Sequence, residues 1–181
     1  PEVINHHAAQ ISVRESVDNP RLDATINIVG FLNILAAGVR SGLKRVIFAS
    51  SGGVVYGEAN KIPTPESYTP LIPLSPYGIT KLTSEYYLHF FQQLHKVSYT
   101  ALRYSNVYGP RQNPHGEAGV VAIFSQKLLR NEQPVINGDG KQTRDYVFID
   151  DVVEANILSL TSHVNGAYNI GTGIETNVVE I

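Results

Sequence analysis

Short apolar runs alternate with longer stretches of helical period along this chain. The short runs are typical of buried parallel strands, and the longer stretches repeat apolar residues every three or four positions. The predicted strands cover residues 3–5, 46–49, 99–104, 134–136, 146–149 and 167–170. The predicted helices cover residues 22–39, 76–96, 120–129 and 150–160, with Ser75 and either Asp150 or Asp151 as N-caps. This alternation predicts an α/β fold of parallel βαβ units with right-handed crossovers.

Two loops rich in proline and glycine follow predicted strands, at residues 58–76 and 106–119. In open parallel sheets, ligands bind at the edge where the strands end. The sequence therefore predicts that the candidate functional residues share this one edge.

Composition narrows the class of protein. The 181 residues carry 14 Lys and Arg against 16 Asp and Glu, a net charge of −2 that provides no general attraction for nucleic acid or anionic lipid. No apolar run is expected to span a membrane, and the first residues lack a signal-peptide profile. Because there is no cysteine, disulfides and thiolate chemistry are excluded. We expect a cytoplasmic protein without nucleic-acid or membrane partners.

The most specific feature is the pair Tyr77 and Lys81, four residues apart at a predicted helix start. This spacing places the phenol and the ammonium on one face. Lowering the phenol pKa from about 10 to about 7 requires about 4 kcal/mol, which a lysine and a cationic cofactor together can supply. The alternative is a surface pair that shares this spacing by chance.

Ser50 and Ser51 end the preceding predicted strand and deliver hydroxyls to the same edge. A hydroxyl there can hydrogen-bond the substrate oxygen whose proton Tyr77 removes. The alternative is a plain turn of small residues.

Five motifs occur in the order found in the extended short-chain dehydrogenase/reductase family. They are VINHHAAQ (3–10), FASSGGVVYG (48–57), SPYGITK (75–81), LRYSNVYGPRQ (102–112) and GDGKQTRDYVFIDDV (138–152). The chain most resembles the NAD-dependent nucleotide-sugar epimerase/dehydratase branch of that family. The resemblance implies a Rossmann-like, doubly wound parallel sheet, NAD as cofactor, a nucleotide-sugar substrate and a homodimer.

The resemblance also implies roles for individual residues. Those implied to be catalytic are Ser51, Tyr77 and Lys81. Those implied to line the cofactor are His7, Ala8, Ala9, Asn27, Ser50, Tyr77, Lys81 and Tyr104. Those implied to contact the substrate are Ser51, Asn106 and Arg144. Two alternatives stay open, namely Ser50 as the catalytic serine and an ion pair of Arg144 with Asp145.

The implied reaction is 4-epimerisation of UDP-glucose and UDP-galactose, with Tyr77 as base and hydride exchanged at C4. Gly52 and Gly53 stand where related dehydratases carry an Asp-Glu pair, which favours simple epimerisation. Another nucleotide-sugar epimerase, a dehydratase or a reductase of the same family is the alternative. A second alternative is a fragment that binds the nucleotide sugar without catalysis.

One family feature is missing. The chain has no glycine-rich turn followed by an acidic residue about 20 positions later, as a dinucleotide site requires. We therefore expect the interior of a longer enzyme that lacks its first βαβ unit. We also expect weak or no NAD binding by these residues alone, and no activity of the isolated 181-residue chain. The expected regions are a truncated Rossmann-like domain at 1–106, part of a substrate-binding region at 107–145, and a return to the sheet at 146–181.

No metal site is expected. His6 and His7 are adjacent on a strand and diverge, and Asp150 with Asp151 is explained by helix capping and the helix dipole. Residues 138–140 lack the Lys-Ser/Thr of a phosphate-binding loop, which argues against a nucleotide hydrolase.

Overall fold

The computed structural model describes residues 1–115, 119–162 and 164–181. Its strands are Val3–His6 (β1), Arg45–Ser51 (β2), Ser98–Tyr104 (β3), Asn106–Tyr108 (β4), Thr143–Arg144 (β5), Tyr146–Phe148 (β6), Gly166–Ile170 (β7) and Thr176–Asn177 (β8). Its helices are Val13–Asp18 (α1), Pro20–Ala24 (α2), Phe31–Arg40 (α3), Gly52–Val55 (α4), Pro76–His95 (α5), Val120–Leu129 (α6) and Ile149–Thr161 (α7), with a π-helical segment at Thr25–Gly30.

A parallel sheet in the order β1-β2-β3-β7 forms the centre of the molecule. Ser51 and Tyr104, the last residues of β2 and β3, are register partners. The two central strands therefore end level with each other, which confirms the predicted α/β class and the shared carboxyl edge. Two small sheets lie beyond this edge, one of β4 with β6 and one of β5 with β8.

The main core lies between the sheet and helices α3 and α5. Its buried members are Phe31, Leu35, Leu43, Val46, Phe48, Leu88, Phe91, Val97, Tyr99 and Ala101. Each large apolar side chain fully buried here contributes about 1.5–3 kcal/mol. Through Leu88 and Phe91 this core holds the second half of α5 against the sheet. A smaller core of Val55, Tyr56 and Leu82 holds the first half of α5 against the segment that follows β2.

The helix over Pro20–Arg40 corrects one expectation from the sequence. Its 21 residues are long and apolar enough to cross a membrane by length and composition, although no such stretch was expected. A core helix passes the same test, and this one buries Phe31 and Leu35 against the sheet. It also carries Asp23 and Asn27 in buried hydrogen bonds.

Two local predictions were wrong, and three short strands were missed. Residues 134–136 form no strand, and Val135 is exposed without a partner strand. Phe148, rather than Asp150 or Asp151, is the N-cap residue of α7, and the two aspartates occupy its first turn, where the helix dipole favours negative charge. Strands β4, β5 and β8 are too short for a pattern of alternation to reveal them.

Candidate active site

The start of α5 places Tyr77 and Lys81 at the carboxyl edge of the sheet. Ser75 caps the helix, with its Oγ accepting from the Gly78 amide at 3.1 Å, and Pro76 occupies the first turn. One helical turn then brings Lys81 Nζ to 5.6 Å from the centroid of the Tyr77 ring. The predicted pairing of these two side chains is therefore present.

Lys81 is held tightly in a buried position. Its Nζ donates to the Ala49 carbonyl of β2 at 2.7 Å and lies 4.9 Å from the centroid of the Phe48 ring. Burial lowers the pKa of Lys81 to about 8, and the nearby Asp23 carboxylate offsets part of this effect. One of its three N–H donors is used by Ala49, so the ammonium retains donors for a ligand.

The predicted lowering of the Tyr77 pKa involves a bound cationic cofactor together with Lys81, and the chain by itself shows the opposite direction. Burial raises the pKa of Tyr77 to about 12, and the Asp23 carboxylate raises it further. Burial removes the water that would solvate a phenolate, while the Lys81 ammonium is engaged by Ala49. The Tyr77 hydroxyl itself has no hydrogen-bond partner among the described residues, so it is available to a ligand.

The structure separates the two adjacent serines at the end of β2. Ser50 is buried, and its Oγ donates to Glu85 Oε1 at 2.5 Å. Ser51 is partly exposed and precedes α4, and its hydroxyl makes no hydrogen bond within the described part of the chain. Because neighbouring strand residues point to opposite faces, only Ser51 presents a free hydroxyl.

Asn27 lies in the π-helical segment and ties this helix to the loop after β1. Its side chain accepts from the Gln10 amide at 2.9 Å and donates to the Gln10 carbonyl at 3.0 Å. Asp23, whose side chain is fully buried, accepts from Asn27 at 2.9 Å and from Thr80 at 3.0 Å. Sequence analysis missed Asp23 because a single aspartate in an apolar helix carries no motif of its own.

A buried ion pair supports the same helix one turn beyond Lys81. Arg103 of β3 donates to Glu85 of α5 at 2.7 and 3.1 Å. Arg103 also donates to the Tyr56 hydroxyl at 2.8 Å, and that hydroxyl donates to Asn169 at 2.7 Å. The spacing of Glu85, four residues after Lys81, is the only sequence signal that could have indicated it.

Two of the residues predicted to line a cofactor, His7 and Tyr104, meet at Asn156 of α7. The His7 and Tyr104 rings stack at 6.3 Å, and Asn156 bonds His7 at 3.3 Å and the Tyr104 hydroxyl at 2.8 Å. Ala8 and Ala9 follow directly at the end of β1, with at least partial exposure. His7 and Tyr104 therefore lie together at the sheet edge, and Asn156 is a contact that sequence analysis missed.

Asn106 and Arg144, the predicted substrate contacts, are both exposed and line the same two cavities, of about 580 and 440 Å³. The alternative ion pair between Arg144 and Asp145 is absent. The Asp145 carboxylate instead accepts from Thr172 and Gly173, at 2.7–3.0 Å. The guanidinium of Arg144 therefore faces the cavities without a carboxylate partner among the described residues.

His6 lies away from any metal-binding arrangement. Its ring stacks on Phe31 at 4.7 Å and on Phe48 at 6.1 Å. Burial lowers the pKa of His6, with the Lys81 charge contributing in the same direction. Within residues 1–115, 119–162 and 164–181, no group of three or more potential metal ligands is found.

Comparison with known proteins identifies the family. Residues 1–171 match the model of the NAD dependent epimerase/dehydratase family. The chain is 51% identical over 180 residues to a putative UDP-glucose 4-epimerase of Methanocaldococcus jannaschii, and 48% identical over 182 residues to a UDP-glucose 4-epimerase of Mycolicibacterium smegmatis. The two alignments cover 99% and 100% of this chain but only 58% of the length of each relative.

Solved structures agree with this result. The UDP-glucose 4-epimerase of Thermotoga maritima, solved with UDP-glucose, is 52% identical with a TM-score of 0.95, and the alignment covers 99% of this chain and 58% of that one. The Thermus thermophilus UDP-glucose 4-epimerase, solved with NAD, is 44% identical with a TM-score of 0.91 over 99% of this chain and 59% of its own. The chain belongs to the NAD-dependent epimerase/dehydratase family.

Proposed function

We propose that the protein catalyses NAD-dependent 4-epimerisation of a nucleotide sugar, interconverting UDP-glucose and UDP-galactose. The observation that carries this proposal is the edge of the sheet where Tyr77, Lys81 and Ser51 present a free phenol, a buried ammonium and a free hydroxyl. Relatives about half identical to the chain bear the name UDP-glucose 4-epimerase, which supports the choice of substrate.

In this mechanism Tyr77 removes the proton from the sugar 4-hydroxyl. Ser51 hydrogen-bonds the same oxygen and orients it toward the phenol. Since burial raises the Tyr77 pKa to about 12, the phenol needs additional positive charge before it can act as a base. Lys81 supplies one ammonium on the same helix face. After the 4-keto sugar has turned over, Tyr77 returns the proton and the C4 configuration is inverted.

Bound NAD would supply reversible hydride exchange at C4 of the sugar, and Tyr77 and Lys81 would hold its nicotinamide end. The residues present fit the nicotinamide half of this cofactor. Lys81 retains free N–H donors, and the Tyr77 hydroxyl is unpaired. The printed sequence holds no glycine-rich turn for the pyrophosphate. We therefore expect weak NAD binding by these 181 residues alone, measurable by calorimetric titration.

Arg144 and Asn106 are proposed to hold the diphosphate and sugar of the substrate. A guanidinium is permanently charged and makes paired hydrogen bonds to phosphate oxygens. Among the residues that the structure describes, Arg144 has only the neighbouring Thr143 carbonyl as a partner, at 2.7 Å. Asn106 uses one amide donor on the Asp145 carbonyl at 3.2 Å and keeps its oxygen free.

Epimerisation is favoured over dehydration by the backbone around Gly52. A Cβ at this position would lie 3.2 Å from the Arg103 carbonyl. An acidic side chain for elimination therefore needs a shift of the β2 end or of β3. The next residue, Gly53, also has no side chain that could act as an acid or a base.

A homodimer in the cytoplasm is the proposed state of the complete protein. Two helices expose apolar side chains on their outer faces, which is typical of an interaction surface. These side chains are Leu22, Ile26, Val29 and Ile34 on one helix and Ile79, Tyr86, Phe90 and Leu94 on α5. Light scattering of the native protein and of a Phe90→Glu variant tests this, since a monomer in both would contradict it.

The test of the activity is direct. The purified full-length protein is incubated with UDP-galactose and NAD, and the nucleotide sugars are separated and identified. We expect UDP-glucose to form without release of water. A product that keeps its C4 configuration, or one that has lost water, would refute the proposed reaction.

A further inference from the structure

Two of the residues that line a ligand-sized space at the carboxyl edge carry buried polar atoms without partners among the described residues. The cavity of about 440 Å³ lies between β4, β6 and the start of α6 and is lined by Ser105, Asn106, Gln112 and Arg144. Ser105 Oγ and Gln112 Oε1 are both shielded from solvent. Neither has a hydrogen-bond partner in the described part of the chain.

Such groups need an explanation. Buried polar atoms in folded proteins are nearly always hydrogen-bonded, and an unpaired one costs free energy. Ser105 follows β3 directly, and its own amide donates to the Ile170 carbonyl at 2.9 Å. The backbone is therefore anchored while the hydroxyl stays unpaired, as expected for an atom whose partner is a ligand.

The orientation of the Gln112 amide is set by the backbone. Its Nε2 donates to the Val107 carbonyl at 3.0 Å, and a carbonyl can only accept. The Gln112 Oε1 atom is therefore an acceptor without a hydrogen bond, and it requires a donor from the ligand. Phosphate oxygens of a nucleoside diphosphate diester act as acceptors, so they do not satisfy it.

A sugar hydroxyl satisfies both atoms, because it donates and accepts. We propose that Ser105 and Gln112 bind sugar hydroxyls of the nucleotide sugar, beside the diphosphate contact at Arg144. This inference rests on the proposed function and adds two binding residues to it. Both the ribose and the hexose of the substrate carry such hydroxyls, and the test distinguishes which of the two sugars binds here.

The experiment measures binding by calorimetry to the native protein and to its Ser105→Ala variant. The probes are UDP-glucose, UDP, and UDP-glucose whose ribose lacks both hydroxyls. Loss of one hydrogen bond is expected to weaken UDP-glucose binding about three- to tenfold. If the hexose is the partner, variant and native protein bind UDP equally. If the ribose is the partner, they bind the deoxygenated analogue equally.

Two further variants keep the result interpretable. Ser162 also has a buried hydroxyl without a partner, but it lines neither of the cavities described above. Ser162→Ala should therefore leave all three affinities unchanged. Gln112→Met tests the second atom with the same probes. Ser105→Ala should also unfold at the same or a higher temperature, since no contact within the described chain is lost.

Unchanged UDP-glucose binding in Ser105→Ala and in Gln112→Met would overturn the inference, as would a loss that persists with both analogues. A native protein that converts UDP-galactose while these variants bind normally would refute the inference alone. A native protein that neither binds nor converts the nucleotide sugars would refute the proposed function and the inference with it.

Discussion

Arg103 and Glu85 form a two-pronged ion pair, with hydrogen bonds of 2.7 and 3.1 Å, in which both side chains are almost completely buried. Burial opposes the charge of Arg103, but the hydrogen bonds and charge of Glu85, with help from Tyr56, raise the pKa of Arg103 above its ordinary value. The pair joins α5 to β3 and also receives the Ser50 hydroxyl. It therefore fixes the helix of Tyr77 and Lys81 relative to the strand end that carries Ser51.

Glu85→Ala should strongly destabilise the fold. Removing one partner leaves the Arg103 charge buried and uncompensated, which costs about 3–5 kcal/mol of unfolding free energy. Urea unfolding of the native protein and the variant measures this. The exposed pair of Lys44 with Glu2 is the control, and Glu2→Ala should give no resolvable change. Equal effects of the two substitutions would contradict the structural role assigned to Glu85.

Much of the fold follows from the sequence because its elements are long and periodic. Helix α5 begins at Pro76 behind the Ser75 cap, as predicted, and ends at His95, one residue before the predicted end. Lys96 then adopts a left-handed conformation that ends the helix. Patterns of this length average over many side chains, whereas the two-residue strands β5 and β8 depend on contacts between distant segments.

The site was only partly predictable for a related reason. The spacing of Tyr77 and Lys81 is local, so the sequence could indicate it. The contributions of Asp23, Arg103 and Asn156 arise from hydrogen bonds between residues far apart in the sequence. Such bonds leave no recognisable pattern in the amino-acid sequence. In the chain by itself, burial and the Asp23 carboxylate both raise the Tyr77 pKa, and neither effect can be derived from the spacing of Tyr77 and Lys81.

Ser50 and Ser51 should respond differently to the same substitution. Ser50→Ala removes a buried hydrogen bond to the Glu85 carboxylate and should lower the unfolding free energy by about 1–3 kcal/mol. Ser51→Ala loses no contact within the described chain, so its stability should stay unchanged while kcat for UDP-galactose falls at least tenfold. Denaturation and steady-state kinetics on both variants check this. The reverse pattern would assign Ser50 to the reaction.

Lys81 should make stability depend on pH in the alkaline range. Its folded pKa of about 8 lies below the ordinary value of 10.5, so the unfolded chain binds more protons between these values. Stability should therefore rise between pH 8 and 10.5, by up to about 3 kcal/mol. The raised Tyr77 pKa acts oppositely above pH 10, where the unfolded chain loses its proton first and stability falls.

Lys81→Met removes the buried charge and should abolish the rise between pH 8 and 10, measured as urea unfolding free energies at half-unit intervals. The exposed Lys61 provides a matched control, since Lys61→Met should keep the rise. A rise of equal size in both variants would show that another group causes it.

Tyr77→Phe separates catalysis from structure most cleanly. The Tyr77 hydroxyl bonds no described residue, so its removal should leave the unfolding free energy unchanged or slightly higher, because a buried polar atom is lost. The proposed base is lost at the same time, so kcat should fall by about 10²–10⁴-fold. Tyr86, exposed on the same helix, is the control, and Tyr86→Phe should retain full activity. A Tyr77→Phe variant that interconverts UDP-galactose and UDP-glucose at the native rate would show that the phenol does not carry the proton, and would leave Tyr77 with a role in binding alone.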